Sequence, residues 1–137
     1  MKNNRYTLFS LSSLFFLCSL FATGSVSFGG DDPSISGELR KNIQTSMQTF
    51  IDNNSVGGIY SIYDPVDGKL RQLTFKELHK GIVKKGDFYV SCADFTDSNN
   101  KVVDLDFLVM PTSDRLLVAQ AIIHSVDGEK RTYHLEN

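Results

Sequence analysis

The hydrophobic period of this chain changes once, near Gly58, and that change limits the fold more than any other feature. Before it, Ile35, Leu39, Ile43, Met47, Phe50 and Ile51 recur at steps of three or four residues, with one adjacent pair at the end. Such spacing lays one apolar stripe along a helix of roughly 20 residues. Polar Arg40, Lys41, Gln44 and Gln48 fall on its other side. Asp32 and Pro33 supply a start signal, because aspartate can cap free amides and proline at the first helical position gives up no bond. The 53–58 stretch ends the helix.

After Gly58 the alternation is that of strands. "IYSIYDPVDGKLRQLTF" reads as two strands about a turn at 64–68, and "DFYVSCADF", "KVVDLDFLVM" and "RLLVAQAIIHSV" follow as three more. "KELHKGIVKKG" is either a helical turn or a loop. "VDGEKRTYHL" offers a further turn and a short last strand. Val66-Asp67-Gly68 and Val126-Asp127-Gly128 each have an arginine three residues after the glycine, the same turn chemistry used twice. One amphipathic helix and a meander of strands predict an α+β fold, with one long N-terminal helix packed across an antiparallel sheet of about four to five strands.

The first 27 residues are set apart from this pattern. Lys2 and Arg5 precede an apolar run over 8–21, and the small residues of "ATGSVS" follow. A basic start, a short apolar stretch and a small-residue exit are the parts of a secretory signal peptide. The run is shorter than the ~20 residues a membrane-spanning helix needs. Cleavage after Ser27 or after Gly24 fits, leaving 28–32 as a flexible lead-in and 33–137 as a single domain. The expected destination is periplasmic or extracellular, with no membrane span in the mature chain. Leu17 before Cys18, and apolar residues beyond it, argue against a lipidated cysteine. Cys92 is then the one thiol of the mature chain, so no internal disulfide forms and the core must supply stability.

Charge excludes some partners. Without Lys2 and Arg5, 12 of the 14 basic residues remain against 16 acidic ones, a net charge of −4. With no basic stripe or arginine-rich run, nucleic acid and anionic membrane surfaces are not expected partners. Phosphate-binding glycine loops and the common zinc-protease and hydrolase motifs are absent, and no cofactor is expected.

This order of elements resembles the cystatin-like and NTF2-like helix-on-sheet folds. It is also similar to small exported bacterial proteins with a "CADF…DLDF…HSVDG" core. The likeness covers roughly residues 33–134 and implies architecture, not activity. The glutamine–valine–glycine loop of cystatins is missing, so protease inhibition is not implied. The extra N-terminal helices of NTF2-like domains find no room, which weakens an inferred deep pocket.

Strand faces follow from the requirement that one face be apolar throughout. Val103, Leu105, Phe107 and Val109 form one face, and pairing them with Ile123, Ala121, Ala119 and Leu117 keeps it apolar. A tight turn at Ser98 and Asn99 would set Phe88, Val90 and Cys92 against Val109, Phe107 and Leu105. Sliding by one residue would oppose Asp94 and Asp104, and like charges in register destabilise a strand pair. The first register is therefore preferred, with Cys92 in the core under the helix and inert.

On the other face lie Asp104, Asp106, Gln120 and His124, with Ser91, Ala93, Val118 and Ile122. Asp104, Asp106 and His124 could form an acid–base group, since a carboxylate raises and orients an imidazole. The plainer reading is the polar side of a half-solvated sheet. No set of metal ligands can be placed, and His79 and His134 read as solvent-exposed. Tyr133 reads as core or rim packing. Yet Leu108, Met110, Leu116, Val118 and Ile122 make that outer face apolar too, so it needs a cover. With Gln120 they form the expected binding surface, for a homodimer or for a protein or small-molecule partner. The function expected is that of an exported binding module, and the alternative is a small NTF2-like enzyme using Asp104, Asp106 and His124.

Overall fold

The computed structural model describes residues 30–133. The expected signal peptide, its cleavage point, Cys18 and His134 lie outside the described residues. The elements are α1 (Gly37–Asn53), β1 (Ser55–Val56), β2 (Ile59–Asp64), β3 (Lys69–Lys85), β4 (Phe88–Asp97), β5 (Val102–Pro111), β6 (Leu116–Val126) and β7 (Glu129–Lys130). All seven strands form one antiparallel sheet in sequence order. Strand makes up 56% of the described residues and helix 16%. The expected long helix over four to five strands is therefore corrected to a short helix against a seven-stranded sheet.

Two stretches account for the difference. Asp32 does not cap a helix: its Oδ1 accepts from the Ser34 amide and hydroxyl, and its carbonyl from the Ile35 amide, which closes a turn. Gly37 then adopts φ +55°, a left-handed backbone no helix continues through, so α1 begins there. The second stretch is 76–86, of which 76–85 is neither helical turn nor loop but the far half of β3, with Gly86 in the turn that follows. Ile82 is fully buried there, and Val83, Lys84 and Lys85 pair with Val90, Tyr89 and Phe88. Tertiary burial overrides the weak local signal.

The helix stripe is as expected, with Ile43, Met47 and Ile51 buried. They pack on Tyr60, Leu73, Ala93, Phe95, Val103, Leu105, Phe107, Val109 and Ile123. Each fully buried large side chain contributes about 1.5–3 kcal/mol. The polar side of α1 also meets the sheet. Arg40 donates through Nη2 to Asp31 (2.7 Å) and through Nη1 to the Lys80 carbonyl, while Gln44 Nε2 reaches the His79 carbonyl at 3.4 Å. The lead-in is tied down beside them, since the Asp32 amide donates to the Ile82 carbonyl at 2.8 Å.

Both expected registers are corrected. Between β4 and β5 the rejected alternative forms: Cys92 pairs with Asp106, Ala93 with Leu105 and Asp94 with Asp104. Asp97 accepts the Asn99 and Lys101 amides, and Asn100 takes φ +59°. This makes the loop longer than a two-residue turn and shifts the register by one. The shift brings Phe95 into an aromatic group with Tyr60, Phe75 and Phe107. Burying that ring outweighs the cost of two facing carboxylates, one of which pairs with His79. Ser91 and Ala93 consequently belong to the core side, and Cys92 to the outer side.

Between β5 and β6 two irregularities break a uniform register. Leu105 pairs with Ile123 and Phe107 with Ala121, but Val109 pairs with Val118. His124 and Ala119 are the extra residues. Val118, expected outside, is thereby turned into the core at 6% exposure, and Leu116 packs against it.

At one end of the sheet, the two turns with the same chemistry meet. Arg71 Nε and Arg131 Nη2 both donate to Asp64 Oδ2, at 2.7 and 2.9 Å. Arg71 Nη2 also bonds Asp67, and Arg131 lies 3.2 Å from it. The β2–β3 turn and the segment just after β7 are thus joined through one fully buried carboxylate.

Candidate functional site

The outer face of β3–β6 holds a buried polar group at its centre. Asp106, the second aspartate of "VVDLDFLVM", is nearly inaccessible and accepts three hydrogen bonds. Cys92 Sγ donates to its Oδ1 at 2.7 Å. His124 Nδ1 and the Tyr133 hydroxyl approach its Oδ2 at 2.9 and 2.6 Å. The His124 and Tyr133 rings meet edge to face. Alternation along β5 places Asp106 outward, and the bulge at His124 re-aims that ring onto it. Cys92 and His124, expected on opposite faces, share one carboxylate.

Asp104 lies beside this group, directly across from Asp94. His79 Nε2 is 3.1 Å from Asp94 Oδ1. His79 was expected in solvent, but a second irregularity puts it here: between Leu78 and Ile82, β3 carries two more residues than β4 does opposite. The carbonyls freed there are bonded by Gln44, Arg40 and the Ser91 hydroxyl. The described residues thus bring together Asp104, Asp106 and His124 as the sequence suggested. They add Cys92, His79, Asp94 and Tyr133.

The electrostatics divide the acids. Burial pushes Asp106 upward, but the bonds from His124, Cys92 and Tyr133 outweigh it and hold its carboxyl below the usual range. Burial and the neighbouring Asp106 and Asp104 charges push the Cys92 thiol far up, so it is a neutral donor and not a nucleophile. Burial, then the Asp106 hydrogen bond, also raises Tyr133. Asp104 is pushed up to about 6, mainly by burial, with Asp106 and Asp94 adding to the effect and His79 and His124 opposing it. Its Oδ1 is buried and accepts no hydrogen bond.

A pH dependence follows. Asp104 titrates at about 6 folded, against 3.8 for an unperturbed aspartate, so between these values the folded chain binds more protons. Its contribution to stability is then present below about pH 4 and is lost as pH rises through 6. Asp64 and Asp106 act oppositely, because their lowered values stabilise above 3.8 and fail in stronger acid. Chemical denaturation of chelator-treated protein is expected to show stability rising from pH 7 to about 5, a trend that Asp104→Asn removes.

Of the expected binding-surface residues, Leu108 and Ile122 are half-buried on this outer face, and Gln120 and Met110 are exposed, Met110 at 42%. Leu117 is exposed opposite Met110. Clefts among the described residues lie elsewhere, and two of them bear on the choice of site. One of about 720 Å³ opens between α1 and the β5–β6 turn, lined by Leu39, Thr49, Phe50, Pro111 and Leu117. The other, about 250 Å³, lies over the ion pairs of Arg71 and Arg131. Neither contains the Asp106 group. The outer face is preferred as the site because its ionisable side chains are buried together without full mutual pairing.

Part of the site is legible in the sequence and part is not. The spacing of Asp104 and Asp106 and the neighbourhood of His124 were visible. His79 and Tyr133 were not, since a bulge and a non-strand tail place them. Compared with known proteins, the chain matches no family model, no curated protein and no solved structure.

Proposed function

We propose that this chain is an exported binding module that works through the outer face of its sheet. The N-terminal signal pattern supports export. The observation that carries the binding reading is the buried group of Cys92, Asp106, His124 and Tyr133 with Asp104 beside it. Well-packed apolar residues would hold a sheet face at least as firmly as buried charges do. A carboxylate with an orphaned oxygen is a cost to the fold, of the kind found where a site serves a ligand. Leu108 and Ile122 flank this polar centre on the same face, and Met110 adds apolar surface toward the end of β5, which suits a small molecule, a protein partner or a second copy.

Asp104→Asn tests this without knowledge of the ligand. It relieves the opposition to Asp94 and the burial of charge, so the metal-free chain is expected to gain about 1–2 kcal/mol at pH 7. Equilibrium denaturation measures it, and a loss of stability would mean that Asp104 serves the fold. Sedimentation velocity at tens of micromolar decides whether the occupant is a second copy: a dimer should revert to monomer in Met110→Glu. An acid–base reading has the 2.9 Å contact between His124 and Asp106 in its favour. It requires Asp104 as the base, because Asp106 is already held ionised by three donors.

A further inference from the structure

His79, Cys92 and Asp104 come from three adjacent strands, and one donor atom from each lies within 4.8 Å of the others. An imidazole nitrogen, a sulfur and a carboxylate oxygen at such separations can move onto one small cation with side-chain adjustments alone. This inference rests on the outer-face reading above and names the ligand class. We propose that His79, Cys92 and Asp104 bind a divalent transition-metal ion of the zinc type.

Four observations support the assignment. The Asp104 Oδ1 atom is buried and has no hydrogen-bond partner, so a cation would satisfy an oxygen the fold leaves wanting. Asp94 holds His79 through Nε2, and a carboxylate on one ring nitrogen is the usual support of a metal-bound histidine. Three carboxylates, Asp94, Asp104 and Asp106, crowd around the position, which favours positive charge there. His79 is partly exposed while Cys92 is buried, so an ion has a way in from solvent.

The donor set selects the metal. Thiolate and imidazole are soft to borderline ligands that suit zinc, cobalt or copper and not calcium or magnesium. Three protein ligands leave a fourth tetrahedral position for water or a bound molecule. Binding forms a sulfur–metal bond and breaks the Cys92 S–H bond, and the thiol proton passes to solvent. Asp106 loses that donor but keeps His124 and Tyr133. The high thiol pKa is no obstacle, since coordination deprotonates a cysteine outright.

Cobalt(II) reports on the site directly. The full chain carrying Cys18→Ala, so that Cys92 is its one thiol, is stripped with chelator and titrated with cobalt(II). A thiolate-to-cobalt charge-transfer band is expected to saturate at one equivalent and to bleach on adding zinc. Cys92→Ser should abolish the band with the circular dichroism unchanged. His79→Ala and Asp104→Asn, at less buried positions, should each weaken binding at least tenfold. Absence of the band from the folded chain would overturn the metal assignment, as would a band indifferent to both variants. Either result leaves the stability gain of Asp104→Asn as the separate test of the wider binding reading.

Discussion

Replacing Asp64 with alanine is expected to destabilise the chain by about 3–5 kcal/mol, enough to unfold much of it at ambient temperature. Asp64 is fully buried, and Arg71 is nearly so. Removing the carboxylate leaves the Arg71 and Arg131 guanidinium groups facing each other near Asp67 with their shared acceptor gone. The turn between β2 and β3 also suffers, because Asp64 Oδ1 accepts the Val66 and Asp67 amides. The buried charges explain most of the loss, and a compensated variant checks that. Asp64→Leu with Arg71→Met and Arg131→Met should lie much closer to wild type, since exchanging a whole buried ionic group for apolar side chains is often neutral. Urea denaturation of both variants distinguishes loss of charge pairing from loss of the turn.

Phe107→Ala is expected to cost a similar 3–5 kcal/mol, for a different reason. The ring is fully buried on β5, edge-on to Phe50 of α1 at 6.1 Å and stacked with Phe95 of β4 at 6.4 Å. It is therefore the aromatic link between helix and sheet, and its removal leaves a cavity that neither neighbour fills without leaving its own contacts. Thermal unfolding should show a large drop in midpoint, while Leu117→Ala on the exposed side should change little.

These two positions differ in how far the sequence revealed them. The core placement of Phe107 is legible in the sequence, because alternation along β5 fixes which residues share a side. Asp64 was read only as part of a turn. The repeated Val-Asp-Gly with an arginine three residues later was visible, but nothing local states that two turns 60 residues apart close on the same carboxylate. The candidate site divides likewise. The spacing of Asp104 and Asp106 puts them on one face, whereas the side of Cys92 turns on a one-residue difference of register that the sequence resolves the other way. That choice avoids opposing Asp94 to Asp104, a cost of about a kcal/mol or less. Burial of Phe95 is worth more, and the opposition is eased by His79.

What the sequence determined by itself is the set of local periods: the apolar stripe of α1, the alternation of β2, β4, β5 and β6, and the turn at 64–68. These depend on neighbours within a few residues, so they can be read in one dimension. Tertiary structure decided that 76–85 is strand, that Gly37 sets the helix start, and that bulges turn His79 and His124 onto the outer face and Val118 away from it. Each extra residue in a bulge reverses the side on which the following side chains fall, and only packing against the partner strand determines where that residue goes.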